Sequence, residues 1–138
     1  YQDIVLHNFY IILCSIHRSF SSLSKPFDND FSFDRLLLEL NSKYANKWSV
    51  SSMANYCKLS ESYFSHMFKE NMNVNFSVYL EDLRLTEAAH LIEKGESGIN
   101  EIALEVGYNN QTSFRRAFKK KYGMTPLTFI NKLKNTVQ

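Results

Sequence analysis

Residues 99–130, INEIALEVGYNNQTSFRRAFKKKYGMTPLTFI, repeat the pattern of residues 50–80, VSSMANYCKLSESYFSHMFKENMNVNFSVYL. Met53 aligns with Ile102, Ala54 with Ala103 and Cys57 with Val106. After one inserted residue, Phe64 aligns with Phe114, Phe68-Lys69 with Phe118-Lys119, Asn73 with Gly123, Asn75 with Thr125 and Tyr79 with Phe129. Each copy reads as a short helix, a turn and a second helix. The alanine suits a close helix crossing, because a larger side chain would push the two axes apart. The two phenylalanines stand four residues apart and anchor the second helix to a core. Gly107 supplies the left-handed turn residue of the second copy. Lys58 takes that place in the first, which makes the first turn wider or strained. Two helices joined steeply by a tight turn form the helix-turn-helix unit that reads DNA.

Working outward, Asn75 can cap a long helix over about 76–94 that ends at Gly95. About 19 residues at ~1.5 Å each give a rod of ~28 Å. Successive major grooves on one face of DNA lie about 34 Å apart, so such a rod can serve both. The remaining spans are helical too. Ser32 can cap a helix over 33–46 with Phe33, Leu36, Leu37 and Leu40 inward. Ser60 can cap the second helix of the first unit, about 61–71. Thr125-Pro126 opens a last helix that buries Phe129, Ile130 and Leu133. Residues 3–20 carry Val5, Phe9, Ile12, Ile16 and Phe20 at helical spacing, although Phe9–Cys14 also reads as a strand. Residues 21–32, with Pro26, read as a linker. The expected fold is all-α: two helix-turn-helix subdomains (first unit about 50–71, second about 99–121) joined by a long connecting helix, preceded by an additional N-terminal helix and a linker.

Bulk properties narrow the function. With 4 Gly and 2 Pro in 138 residues, a loop-rich β architecture is disfavoured. No run approaches the ~18 apolar residues of a membrane span. No secretory leader is visible, which gives a cytoplasmic, nucleoid-associated address by default. Cys14 and Cys57 sit in apolar stretches, as two reduced buried thiols or, alternatively, a disulfide. Residues 33–108 carry 7 basic and 11 acidic groups, whereas residues 109–138 carry 7 basic groups and no acid. A basic end of that kind suits a polyanion, or is simply a solvated face. No nucleophile elbow, phosphate-binding glycine loop or paired carboxylates appear. His7, His17 and His90 lack metal-ligand spacing. The expectation is therefore no enzyme, no cofactor and no metal.

The segment IALEVGYNNQTSFRRAFKKKYGMTP (102–126) resembles the signature of the AraC/XylS family of transcriptional regulators. That pattern runs Ile-Ala, then Gly with an aromatic, then Phe with Arg and Phe-Lys, then Gly-x-(Ser/Thr)-Pro. LSESYFSHMFK (59–69) and YLEDLRLTEAAHLI (79–92) are similar to the first-unit and connecting-helix patterns, so the resemblance covers about residues 33–135. It implies an AraC-type DNA-binding domain over 33–138, seven helices, and sequence-specific binding to double-stranded promoter DNA; the leading reading is a regulator that activates by positioning or recruiting RNA polymerase. It also implies a sensory or dimerisation domain ahead of this unit, of which residues 1–20 read as a remnant; their apolar face either forms a homodimer or packs on helix 33–46. Two departures stand out. His66 occupies a usual Arg position, and Asn73 replaces a common Gly.

Positions facing away from the phenylalanines match the family's base-reading positions: Ser62, Ser65 and His66 in the first unit, and Gln111, Thr112, Ser113 and Arg116 in the second. Gln can read adenine, Arg can read guanine, and Ser or Thr reach base edges or phosphates. Phosphate candidates are Lys69, Arg84, Arg115, Lys119, Lys120 and Lys121, with Arg84 alternatively paired to Glu81 or Glu87. The competing reading of all these positions is an ordinary solvated surface. His66 is either a charge-dependent DNA contact, because histidine titrates nearest neutral pH, or a neutral hydrogen-bonding group. The rival function is a protein–protein regulatory module of the same fold with weak or no DNA binding.

Overall fold

A computed structural model of the chain describes residues 32–136. The expected N-terminal helix, nearly all of the linker and Cys14 lie outside those residues. The described residues form seven α-helices: α1 Phe33–Ser42, α2 Val50–Tyr56, α3 Glu61–Met72, α4 Phe76–Lys94, α5 Ile99–Glu105, α6 Gln111–Tyr122 and α7 Pro126–Thr136. They contain no strand.

Helix α4 is the connecting rod, and its two halves serve different cores. Phe76, Tyr79, Leu80 and Leu83 pack with α1, α2 and α3. Leu85, Ala88, Ala89 and Ile92 pack with α5 and α6, and Phe129, Ile130 and Leu133 of α7 close over this second core. In the first core Phe68 lies with its ring centroid 5.4 Å from Phe76, 5.5 Å from Tyr79 and 5.7 Å from Phe33. Its counterpart Phe118 lies 5.7 Å from Phe114, 5.5 Å from Phe129 and 4.6 Å from Tyr122. Edge and tilted contacts of this kind add to plain apolar burial.

The repeat extends to individual backbone hydrogen bonds. At the turns, Leu59 N–H donates to Ala54 C=O and Tyr108 N–H to Ala103 C=O, both at 2.9 Å. At the helix ends, Asn73 N–H donates to Lys69 C=O and Gly123 N–H to Lys119 C=O, both at 2.8 Å. Lys58 holds φ 56° where Gly107 holds 98°, and Asn73 holds φ 59° where Gly123 holds 72°. The first turn is thus not wider. Lysine adopts the left-handed conformation there, against the clash of its own Cβ. The inserted residue is Asn109, and the caps that follow correspond: Ser60 Oγ accepts from Tyr63 N–H at 3.2 Å, and Asn110 Oδ1 from Ser113 N–H at 2.7 Å.

Several local expectations are corrected. Helix α1 stops at Ser42 rather than 46, because the chain turns where Asn46 N–H bonds Lys43 C=O and Trp48 Nε1 donates to the same carbonyl. Ser32 and Asn75 stand at the N-cap positions of α1 and α4 without a side-chain capping bond. In α7 it is Pro126 that is fully buried, whereas Phe129, Ile130 and Leu133 are only half-buried, at the rim of their core. Cys57 is a free, buried thiol whose pKa burial pushes up to about 11.

The two turns respond oppositely to substitution. Lys58→Gly removes ~1–2 kcal/mol of left-handed strain and adds ~0.5–1 kcal/mol of unfolded-state freedom, so it should stabilise the fold by up to about 1.5 kcal/mol. A Cβ on Gly107 would lie 2.8 Å from the Ala45 carbonyl oxygen. Gly107→Ala should therefore destabilise the fold by more than the strain alone. Urea unfolding of both variants checks the pair; a loss of stability in Lys58→Gly contradicts the account.

Candidate nucleic-acid interface

Helices α3 and α6 are both 12 residues long and bury the same register. Phe64 and Phe68 point into the first core, Phe114 and Phe118 into the second, and all four have no exposed surface. The same residues of each helix are therefore left outward. Ser62, Ser65, His66 and Lys69 are exposed on α3; Gln111, Thr112, Ser113, Arg115, Arg116, Lys119 and Lys120 are exposed on α6. A shift of 50 residues superposes Ser62 on Thr112, His66 on Arg116 and Lys69 on Lys119.

The two faces differ in charge. Helix α3 carries Glu61 and Glu70 where α6 carries Gln111 and Lys120. His66 Nε2 lies 3.1 Å from Glu70 Oε1 across one turn, with both side chains largely exposed. Arg116 has no hydrogen-bond or ion-pair partner among the described residues, so its guanidinium is available to a ligand. Helix α6 contains no acid and ends in Lys119, Lys120 and Lys121, where cations also complement the carbonyl end of the helix.

Three of the expected phosphate candidates have other engagements. Arg84 turns inward: Nε donates to Tyr44 C=O at 2.9 Å and Nη2 to Asn46 C=O at 2.7 Å. Burial pulls this guanidinium below its ordinary pKa. It bonds these carbonyls rather than the carboxylates of Glu81 or Glu87. Lys121 reaches back to α4, where it pairs with Asp82 and donates to Thr86 Oγ1 at 2.8 Å. Arg115 remains exposed but reaches Asn100 Oδ1 of α5 at 3.5 Å. Lys69, Lys119 and Lys120 keep their ammonium groups in solvent.

Asn110, which caps α6 and so orients Gln111, Thr112 and Ser113, escapes the sequence reading. Its signal was present, since Asn directly before an amphipathic run is a preferred N-cap. The Lys121–Asp82 pair had no comparable signal, being 39 residues apart. No helix among the described residues is long and apolar enough to cross a membrane.

A family model described as a helix-turn-helix domain matches residues 53–132, more than half of the chain. The HTH-type transcriptional regulator AlkR of Acinetobacter baylyi is 34% identical over 79 residues, which cover 57% of this chain and 26% of that protein. The C-terminal domain of AraT, a response regulator from Geobacillus stearothermophilus, superposes with a TM-score of 0.68 at 30% identity, covering 71% of this chain and 82% of that one. The DNA-binding domain of AdpA, solved in complex with a target DNA, shares the fold with a TM-score of 0.71 at 17% identity, covering 74% of this chain and 92% of that one. The chain spans between about a quarter and about a half of the length of the curated relatives it matches.

The two neighbouring lysines of α6 separate structural from surface roles. Lys121→Met should cost about 1–2 kcal/mol, because it strips a charged donor from half-buried acceptors. Lys120→Met should stay within ~0.5 kcal/mol, as exposed charges do. Thermal unfolding of both, with Asp82→Ala completing a double-mutant cycle for Lys121, checks the distinction. Equal costs at the two lysines contradict it.

Proposed function

The chain belongs to the AraC-type helix-turn-helix family, and from that premise we propose that it is a sequence-specific DNA-binding transcriptional regulator whose helices α3 and α6 enter successive major grooves of promoter DNA. The observation that carries this reading is the shared register of the two helices. Twelve residues each, buried at equivalent phenylalanines, they present equivalent outward faces at the two ends of one rod. The rod has 19 residues, about 28 Å at ~1.5 Å per residue, and the groove repeat is about 34 Å.

Within this reading, Arg116 reads a base edge, with Gln111, Thr112 and Ser113 beside it. Lys119 and Lys120 hold phosphates, and Lys69 does the same for the first unit. Arg115 serves a phosphate while braced by Asn100. Ser62, Ser65 and His66 make the weaker first-unit contacts, because Glu61 and Glu70 share that face and repel phosphate. Arg84 and Lys121 act inside the fold rather than on DNA. The regulator acts in the cytoplasm on the nucleoid and activates by recruiting RNA polymerase; residues 1–20, which lie outside the described residues, either form a homodimer or pack on α1.

The acidic balance of residues 33–108 favours one rival, a protein-binding regulatory module with little DNA affinity of its own. A titration on duplex DNA at several salt concentrations discriminates. Counterion release predicts a steep fall of affinity with salt, whereas the rival predicts no binding at moderate salt.

Two substitutions test the residue roles. Arg116→Ala should cost about 1–3 kcal/mol on the preferred sequence and relax selectivity at one position, while Lys120→Ala should weaken all sequences alike. Equal losses on specific and random DNA for Arg116→Ala would remove its reading role.

A further inference from the structure

The loop between α1 and α2, residues 43–49, packs on the first unit through Tyr44 and Trp48 and also touches the second. Tyr44 packs against both hydrophobic cores. The Ala45 carbonyl lies over Gly107, so closely that a Cβ there would approach it to 2.8 Å and its Cα to 3.1 Å. The carbonyls of Tyr44 and Asn46 are both taken by Arg84, and the Arg84 Cζ is itself 3.1 Å from the same Gly107 Cβ position. One guanidinium thus clamps the loop from two sides of Ala45 and seats it on the turn of the second helix-turn-helix unit.

This matters because the two units share α4 without sharing the same stretch of it. The last α4 residue of the first core is Leu83 and the first of the second core is Leu85. Each unit grips its own half of the rod, and Arg84 stands at the change of grip. Rocking of one unit against the other is opposed by whatever bridges them off the rod axis, and the seated loop does this.

We propose that residues 43–49, clamped by Arg84 and seated on Gly107, form a strut that fixes the relative orientation of α3 and α6, which makes Arg84 a positioning residue that sets the half-site spacing the protein accepts. The use of the strut on DNA rests on the functional reading above; the strut itself does not. A fork with two donors is needed, since the two carbonyls belong to residues two apart. Gly107 is needed because only a residue without Cβ admits the Ala45 carbonyl.

The test uses the full chain and two readouts. Residual dipolar couplings of the α2–α3 and α5–α6 amides should fit one alignment tensor in the wild type. In Arg84→Met, which keeps the aliphatic stem and removes the donors, the two sets should need different tensors. Binding is then measured on a duplex selected from a random library by the chain itself, and on the same duplex with one base pair inserted between half-sites. That insertion rotates one half-site by roughly a tenth of a turn. The wild type should lose at least ~10-fold and Arg84→Met less than ~3-fold relative to its own best site. Arg84→Lys, with one compact donor head, should show a reduced insertion penalty as well, and it decides the matter if the Met variant does not fold. A common tensor in a folded Arg84 variant overturns the strut. A common loss on insertion for the wild type and both variants overturns its role in spacing. A wild-type chain that binds no duplex overturns the functional reading instead, and the tensor comparison still decides the strut.

Discussion

Everything in this molecule depends on one helix having to satisfy two cores. Helix α4 presents Phe76, Tyr79, Leu80 and Leu83 to one side and Leu85, Ala88, Ala89 and Ile92 to another. Neither unit could bury its phenylalanines without its half of this rod. The side-chain sizes differ along it: aromatic and leucine residues fill the first core, and two alanines leave room for α5 and α6 in the second. Apolar residues consequently occur around much of the helix circumference, where a simple surface helix would carry one apolar stripe.

The repeat explains why so much of the architecture could be read from residues. Glycine, asparagine, serine and threonine punctuate the helices at equivalent places in the two copies, and each of those choices has a local physical cause. Asn73 and Gly123 both end a helix in the left-handed conformation. Ser60 and Asn110 both cap the helix that presents the candidate DNA face. The outward faces of α3 and α6 follow directly, since burying residues four apart leaves little freedom about which side chains point away.

What escaped the sequence was set by contacts between distant parts of the chain. Arg84 bonds carbonyls 38 and 40 residues away, and nothing in YLEDLRLTEAAHLI distinguishes it from an arginine aimed at phosphate. Lys121 sits in a run of three lysines, yet only it is turned toward Asp82 and Thr86. The early end of α1 has the same origin. Its apolar pattern would allow another turn, but Asn46 N–H and Trp48 Nε1 take the Lys43 carbonyl, and Arg84 holds the carbonyls of Tyr44 and Asn46 in the loop that follows. Helix ends decided by a neighbour's side chain carry no local signal.

The two copies are unequal in a consistent direction. The first unit keeps a lysine in a left-handed turn, acids at both ends of its outward face, and a histidine drawn to one of those acids. The second has glycine in the turn, no acid on its helix, and an arginine with no partner among the described residues. Electrostatic attraction to a polyanion is therefore concentrated at one end of the rod. An interface built this way engages its basic end first, and the other end is then delivered at whatever angle the fold holds. Rigidity between the units matters more for such an unequal pair than for two equally strong ones. The weak unit has little binding energy with which to correct a misplacement, so its orientation must be set in advance, by the rod and by the loop that Arg84 seats against Gly107.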